Sequence, residues 1–552
     1  MTSALDSLFG DDAGEDPSAA AVTLSDDLAR VLRLPQRDAM RVAEQIAEPL
    51  SARLRAPGGT MSLRPLQALA LAEAHDLRGL LALLPVGEGK TLITYLLPVV
   101  MEAKRPILLV PAKLADKTER EFRLLSKHWR APVGYQIVNY ELISRNPDLL
   151  QNIGPDLIIC DEVHNLKNPK AACTRRVYRY IRTQDVKPAF VGLSGTIATR
   201  SFKDWWHLQQ WALPPLLQPL PHSYPVMQAW SQALDEKLTA RRPTGELWRL
   251  VDPKAPSATM PQIREAFGKR LRRTPGVITA DGSQVGASLQ ISTVDLHVPA
   301  LENALGYLRR MWCTPGGEEF SEAADLWRHA RELANGFYYK WSPTPPREWL
   351  EPRKEFHAFV RSILGGSRTL DTMAQVVAAH GDRPEVTAWY NVKDTFRPNT
   401  VPVWLAEDVI DYALAWAKDH PEGLVWVEHR AVGQRLYERG LPYFGEQGRS
   451  HIGRVIDQHT GPAAVSSLAC VEGFNLQAWR DNLILNVTPM GARLEQLLGR
   501  THRYGQRADT VTCTFLFAAD EQREGFAQAR ADATYIQQTT GQRQKLCFAD
   551  YI

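Results

Sequence analysis

Leu84-Pro85-Val86-Gly87-Glu88-Gly89-Lys90-Thr91, running on into LITYLL, is the stretch on which the fold turns. It follows the apolar run Gly79 to Leu84 and opens a helical pattern, so its glycines fall where a strand hands over to a helix N-terminus. Glycine lets consecutive backbone N–H groups close around phosphate oxygens at such a point, and the positive end of the helix dipole adds to the attraction. In that arrangement Gly87, Glu88 and Gly89 form the cradle of an ATP site, Lys90 reaches the β- and γ-phosphates, and Thr91 ligates Mg2+. The strict GxxxxGK[ST] spacing fails at Leu84, and a plain glycine-rich turn is the competing account. The strand before it and the helix after it decide for the phosphate loop.

Outward from this loop, the runs Ile107 to Val110, Leu157 to Cys160 and Phe190 to Leu193 alternate with helix-like stretches. Short, continuously apolar strands separated by helices are the mark of a parallel sheet buried on both faces. Residues 61–213 are therefore expected to form a doubly wound α/β lobe. The run at Leu157 leads straight into Asp161-Glu162-Val163-His164, placing two carboxylates at the C-terminal end of a strand, where ligands of open α/β sheets bind. Asp161 is expected to hold Mg2+ through water, and Glu162 to orient and deprotonate the attacking water. A DE pair alone would be read as a solvated strand end; the upstream phosphate loop reverses that.

A second series begins near 401, with runs at Leu424 to Val427, Ala464 to Leu468, Leu483 to Val487 and Val511 to Phe517, giving a second α/β lobe over 401–552. It carries Gln496-Leu497-Leu498-Gly499-Arg500-Thr501-His502-Arg503, where the two arginines, three apart, are expected on one helical face. Guanidinium groups suit the charge spread over a transferring phosphoryl group, so Arg500 and Arg503 are the arginine-finger candidates.

The remaining chain bounds the reading. A length of 552 residues with 44% hydrophobic content exceeds the roughly 250 to 300 residues at which single cores stop growing, so several cored units are expected. The net charge of +3 comes from 65 basic and 62 acidic residues, so a polyanionic partner must be met by local patches. The six cysteines have no metal-ligand spacing, which fits a reduced, cytoplasmic protein without structural zinc. No run of about 18 apolar residues and no signal-like opening occur, so neither membrane insertion nor secretion is expected. Residues 1–27 are acidic and read as a disordered tail, 28–60 as a helical N-terminal extension, and 214–400 as a mainly helical insertion rich in Trp, Arg and Pro. Tryptophans such as Trp205, Trp206 and Trp211 are at helical spacings that favour core packing over base stacking.

Taken together these motifs resemble a superfamily-two helicase, and more narrowly the Swi/Snf-type ATPases that translocate on duplex DNA. Leu63-Arg64-Pro65-Leu66-Gln67 is similar to that family's LRPYQ, which gives Gln67 the adenine-reading role. Asp161 through Asn168 resembles DEAHxLKN. Leu193-Ser194-Gly195-Thr196 resembles LTGT, the coupling segment, which assigns coupling to Ser194 and Thr196, with His164 beside them. Leu271-Arg272-Arg273-Thr274 resembles LRRTK, and Gln496 through Gln506 resembles QxxxRxHRxGQ, placing Gln496 among the catalytic residues. Ser466 through Leu476 keeps the GxNL of STRAGGxGINL but lacks its arginine and double glycine; Pro275 replaces the family lysine. A compact bacterial or viral relative, working in the cytoplasm of a bacterium or an infected host cell, fits better than a chromatin remodeller.

The resemblance implies two RecA-like lobes with ATP in the cleft between them. It also implies a tracked strand held by Lys113, Asn139, Ser466 and Ser467, with Arg270, Arg272 and Arg273 supporting the duplex. Backbone-directed contacts of this kind hold phosphate without reading sequence. The implied partner is double-stranded DNA. Two rivals stay open: an RNA or strand-separating helicase with the same engine, and an ATP-switched clamp or scaffold that makes no net movement.

Overall fold

The central apolar runs of the first half become buried parallel strands. The computed structural model describes residues 21–552 except 86, 196–199, 237–241, 253–256, 281–284, 312, 317–322, 367–369, 371–372, 398 and 471–473. Its first sheet contains β1 (Gly79–Leu83), β2 (Pro106–Val110), β3 (Gln136–Asn139), β4 (Leu157–Asp161), β5 (Ala189–Ser194) and β6 (Val277–Thr279). Their order is β3-β2-β4-β5-β1-β6, and every pairing is parallel.

Because successive strand residues face opposite sides, the same runs feed two cores. Leu81, Leu83, Ile107, Leu109, Ile158, Cys160 and Phe190 pack on one side with residues of the helices Ala172–Thr183 and Trp206–Ala212. Leu80, Ala82, Leu108, Val110, Ile159, Val191 and Leu193 pack on the other, with the helices Ala39–Leu54, Pro65–Leu77 and Lys90–Val100. The tryptophans Trp205, Trp206, Trp211 and Trp230 are all buried in the first of these cores.

The second unit repeats this plan. Its strands are β7 (Ser288–Asp295), β8 (Phe337–Trp341), β9 (Thr400–Trp404), β10 (Gly423–Val427), β11 (Tyr443–Phe444), β12 (Ala463–Ser466), β13 (Asp481–Ile484), β14 (Thr510–Phe517) and β15 (Asp550–Tyr551). The parallel sheet runs β11-β12-β10-β13-β14-β7-β15, while β8 and β9 pair antiparallel apart from it. Leu424 and Trp426 face one core and Val425 and Val427 the other, so this sheet too is covered on both sides. The fold class expected from the sequence, two doubly wound α/β units, is the one observed.

The bounds differ from those drawn on sequence. The first unit comprises Met1–Gly282, Arg361–Ala379 and Thr534–Arg543, and the second Ser283–Val360, His380–Ala533 and Gln544–Ile552. The stretch 214–400 is therefore not one helical insertion: it supplies β6 to the first sheet and β7 to the second. The return to a strand that the sequence shows at Leu289 to Leu296 is β7, whereas the three-residue β6 went unread because its parallel partner β1 lies far back in the chain. The tail expected over 1–27 ends earlier among the described residues, since Val22 is buried and Ser25 caps the helix Asp26–Leu32 through a 3.1 Å bond from Leu28 N. Residues 1–20 lie outside the described residues. The helix Ala39–Leu54 joins the first unit's core through Ala43 and Leu54. No described helix is long and apolar enough to cross a membrane.

Candidate nucleotide site

Gly89 stands at the N-cap of the helix Lys90–Val100 with φ +74°, and Gly87 has φ +100°. Side chains rarely adopt such backbone, and a Cβ on Gly89 would also collide with Gln67 Nε2. Gln67 braces the loop from outside: its Nε2 donates to Glu88 O at 3.2 Å and to Gly89 O at 3.4 Å, while its Oε1 accepts from Arg64 N at 2.9 Å. Arg64 Nη1 donates to Gly87 O at 3.0 Å. The residue expected to read adenine thus has its carboxamide on the phosphate loop itself.

Strand register gathers the rest. Leu83 of β1 pairs with Ser194 of β5, and Asp161 of β4 pairs with Leu193, so the loop, the two carboxylates and Ser194, expected to couple, meet at the carboxyl edge of one sheet. Lys90 Nζ lies 3.3 Å from Glu162 Oε1 and donates to Leu84 O at 3.1 Å. His164 Nδ1 is 3.3 Å from Glu162 Oε2 and 3.0 Å from Ser194 Oγ, whose hydroxyl donates to Glu162 Oε2 at 3.3 Å. Glu162 holds a left-handed φ of +54°, a conformation that costs a non-glycine residue about 1 kcal/mol. Such strain persists where surrounding contacts over-determine it, and here Lys90, His164 and Ser194 do so.

The two carboxylates are pushed apart. Burial raises Asp161, and the neighbouring Glu162 charge raises it further, to about 6. Burial also acts to raise Glu162, but Lys90 and then His164 outweigh it and hold that carboxyl well below the usual range. Among the described residues no cluster of three or more His, Cys, Asp or Glu side chains could hold a metal alone. Mg2+ ordinarily takes one or two carboxylates together with substrate phosphates, so Thr91, in the first turn of the helix Lys90–Val100, and Asp161, at the end of β4, could hold an ion arriving with a nucleotide.

In the second unit, Gln496 and Arg500 lie on the helix Gly491–Thr501, Gln496 half-buried and Arg500 buried. The expectation that Arg500 and Arg503 share a helical face is corrected. The chain leaves the helix at His502, whose Nε2 donates to Ala287 O at 2.9 Å, and Arg503 lies beyond it. Both arginines instead meet the GxNL segment: Arg500 Nη1 donates to Phe474 O at 3.2 Å and Arg503 Nη1 to Asn475 Oδ1 at 2.6 Å.

The expected nucleic-acid contacts are dispersed. Lys113 is exposed just after β2, and Asn139, at the end of β3, caps the helix Tyr140–Arg145 through Leu142 N at 2.6 Å. Ser466 is buried at the end of β12, and Ser467 N donates to Val427 O at 2.8 Å. Arg270 Nη1 donates to Leu32 O at 3.0 Å, and Arg272 is half-buried against Gly541. Lys269 and Arg273 are exposed. The helix Met260–Arg273 precedes its parallel strand β6, whereas Lys113 and Asn139 follow theirs, so the structure does not gather these first-unit residues at one edge. Thr196 lies outside the described residues. Sequence reading missed Gln542, whose partner Gly195 is 347 positions away with no spacing signal to link them.

No family model matches the chain. Over 81 residues, 15% of this chain and 5% of the relative, it is 32% identical to the DNA excision repair protein ERCC-6-like 2 of Mus musculus. Among solved structures, the helicase Lhr of Mycobacterium smegmatis bound to ssDNA and AMP-PNP is similar with a TM-score of 0.38 and 12% identity. That match covers 86% of this chain and 48% of Lhr. The chain thus spans 5% of the length of the mouse relative.

Proposed function

We propose that this chain is an ATP-hydrolysing motor that translocates on double-stranded DNA. The observation that carries the reading is the cluster of Lys90, Glu162, His164 and Ser194 beside a glycine-built phosphate loop. Glu162 is the general base. Before nucleotide arrives, Lys90 keeps it ionised and occupied; a phosphate drawing Lys90 away would raise its proton affinity where a water must be activated. His164 and Ser194 hold its other oxygen, so any movement of the Ser194 segment changes the base's position. Arg500 and Arg503 are assigned to phosphoryl charge, and Lys113, Asn139, Ser466 and Ser467 to the tracked strand. The short likeness to a mouse DNA excision repair protein supports DNA over RNA, and the Leu166-Lys167-Asn168 and Leu271-Arg272-Arg273 motifs support duplex tracking.

The test is ATPase rate with linear duplex DNA, single-stranded DNA and RNA, together with displacement of a triplex-forming strand from the duplex. Duplex-stimulated turnover with triplex displacement is expected. Stimulation by RNA or single strands alone would replace the substrate with that of a strand-separating helicase. Duplex stimulation with no displacement would leave the switched clamp.

A further inference from the structure

Gln542 is fully buried and its carboxamide nitrogen bridges two backbone carbonyls of the nucleotide site. Nε2 donates to Leu83 O at 2.9 Å and to Gly195 O at 3.0 Å. Leu83 is the last residue of β1, one position before Leu84, whose carbonyl receives Lys90 Nζ. Gly195 directly follows Ser194, which bonds Glu162 and stands beside His164. One side chain therefore fixes both the strand that delivers the phosphate loop and the segment that touches the base.

The local structure is built for this placement. Thr540 Oγ1 donates to Ile536 O at 2.7 Å and accepts from Gln542 N at 3.2 Å, closing the end of the helix Asp520–Thr540. Gly541 turns the chain with φ +71°, and a Cβ there would run into the Arg272 guanidinium. Buried carboxamides are costly unless hydrogen-bonded, and this one has its donors satisfied by carbonyls of the site.

Connectivity gives the bridge a second property. Thr534–Arg543 belongs to the first unit, while His380–Ala533 and Gln544–Ile552, on either side in sequence, belong to the second. Within the second unit, Glu495 accepts from Lys545 N at 2.8 Å and Leu546 N at 2.7 Å, and Glu495 is next to Gln496 on the helix that carries Arg500. Arg543 and Gln544 are the only residues in sequence between the Gln542 anchor and the Lys545 anchor. Resting on the motor reading, we propose that Gln542 is a positioning residue: a tether by which the second unit's state, carried through the short link from the Glu495-held Lys545 by way of Gln544 and Arg543, reaches Gly195, Ser194 and Glu162, so that nucleic acid held by one unit sets hydrolysis in the other.

The test uses the full chain and Gln542→Met, which keeps side-chain volume and removes both donors. Thermal midpoint, affinity for a fluorescent ATP analogue, KM for ATP, and kcat with and without linear duplex DNA are measured. A tether predicts a duplex-stimulated kcat about tenfold lower with KM and analogue affinity within about twofold of wild type, because the Gly195 bond reaches the base through Ser194, while the loop beyond Leu83 keeps its own braces from Gln67 and Arg64. Wild-type kcat in the variant overturns it, and so does a joint fall of kcat, analogue affinity and thermal midpoint, which is the signature of a packing role. If Gln542→Met does not fold, a Gly-Ser insertion between Arg543 and Gln544 decides instead, since it leaves the Gln542 bonds in place and slackens the link. Loss of duplex stimulation with basal turnover retained supports the tether, and retained stimulation overturns it. A wild-type ATPase indifferent to nucleic acid would sink the motor reading itself, a result distinct from any difference between variant and wild type.

Discussion

Lys90 Nζ stands 3.3 Å from Glu162 Oε1, so the group expected on the phosphates and the group expected on the water form one ion pair. Removing either partner has a different consequence. Lys90→Ala takes away the expected phosphate contact and leaves a buried carboxylate without its main counter-charge, so nucleotide affinity and turnover should both collapse. Glu162→Gln keeps the loop and the lysine, so the fluorescent ATP analogue should still bind while kcat falls by roughly 10² to 10⁴. Near-wild-type turnover in purified Glu162→Gln would falsify the assignment of the base.

Gly89 disfavours a side chain by its φ of +74°, and a Cβ there would also push aside Gln67 Nε2, the far end of a flexible side chain. The left-handed backbone alone costs an alanine on the order of 1 kcal/mol. Gly89→Ala should therefore weaken binding of the ATP analogue by about tenfold or more while leaving the circular dichroism spectrum unchanged, since the strain falls on the loop and not on a core. Adding Gln67→Ala removes the collision but leaves the backbone strain and takes away the brace on Glu88 O and Gly89 O, so the double variant should bind no better than Gly89→Ala. Full recovery would show that the collision alone matters.

Much of this was legible in the sequence, for a physical reason. A parallel strand buried on both faces must be apolar throughout, and a loop that turns left-handed must have glycine there, so Leu157 to Cys160, Gly87 and Gly89 announce themselves locally. Val277–Thr279 does not: three residues are too few to show a period, and what makes them a strand is pairing with Leu81–Leu83 far back in the chain. Glu162's environment was hidden likewise, because Lys90 and Ser194 reach it only through register. Gln542 was illegible altogether, since nothing local distinguishes a glutamine that braces carbonyls from one in solvent. The single-face reading of Arg500 and Arg503 failed because helical spacing says nothing about where a helix stops.

Arg503 lies past the end of its helix and is held by Asn475 Oδ1 at 2.6 Å. If it stabilises transferring phosphoryl charge, Arg503→Ala should lower kcat by on the order of 10³ and alter ATP-analogue affinity little. Asn475→Ala removes this bond without deleting the guanidinium, and should give a smaller loss of the same kind. A raised KM with kcat unchanged in Arg503→Ala would move this arginine from the reaction to ground-state binding.

His207 is fully buried and its Nε2 donates to Leu166 O at 2.8 Å, tying the tryptophan-rich helix to the segment after Glu162. Burial depresses its pKa from 6.5 to about 4, against the smaller opposing effects of the Leu166 bond and Asp204. The unfolded chain thus binds the proton more readily than the folded one between these values, so this contribution to stability is complete above about pH 6.5 and is lost as pH falls toward 4. The whole contribution is on the order of 3 kcal/mol. Thermal midpoints of wild type and His207→Gln across that window should converge as pH drops, glutamine keeping a donor for Leu166 without titrating. Parallel curves would mean that His207 does not report this linkage.

The basic run before β6 divides by exposure, which sharpens what it can do for DNA. Lys269 and Arg273 are exposed and, with Arg270, Gln36, Gln262 and Glu265, line a cavity of about 300 Å³; Arg270 is in addition engaged by Leu32 O, and Arg272 packs over Gly541. Changing all four would confound phosphate contact with fold, so Lys269→Gln/Arg273→Gln is the clean variant. If both meet the duplex backbone, the slope of log affinity against log salt should fall by about 0.9 for each, with basal ATPase unchanged. Arg270→Gln should instead lower the thermal midpoint and leave the slope alone, because its guanidinium serves the first unit's own backbone. A double variant with wild-type slope and wild-type stimulation would make Lys269 and Arg273 a solvated helix face, and duplex tracking would then rest on Lys113, Asn139, Ser466 and Ser467.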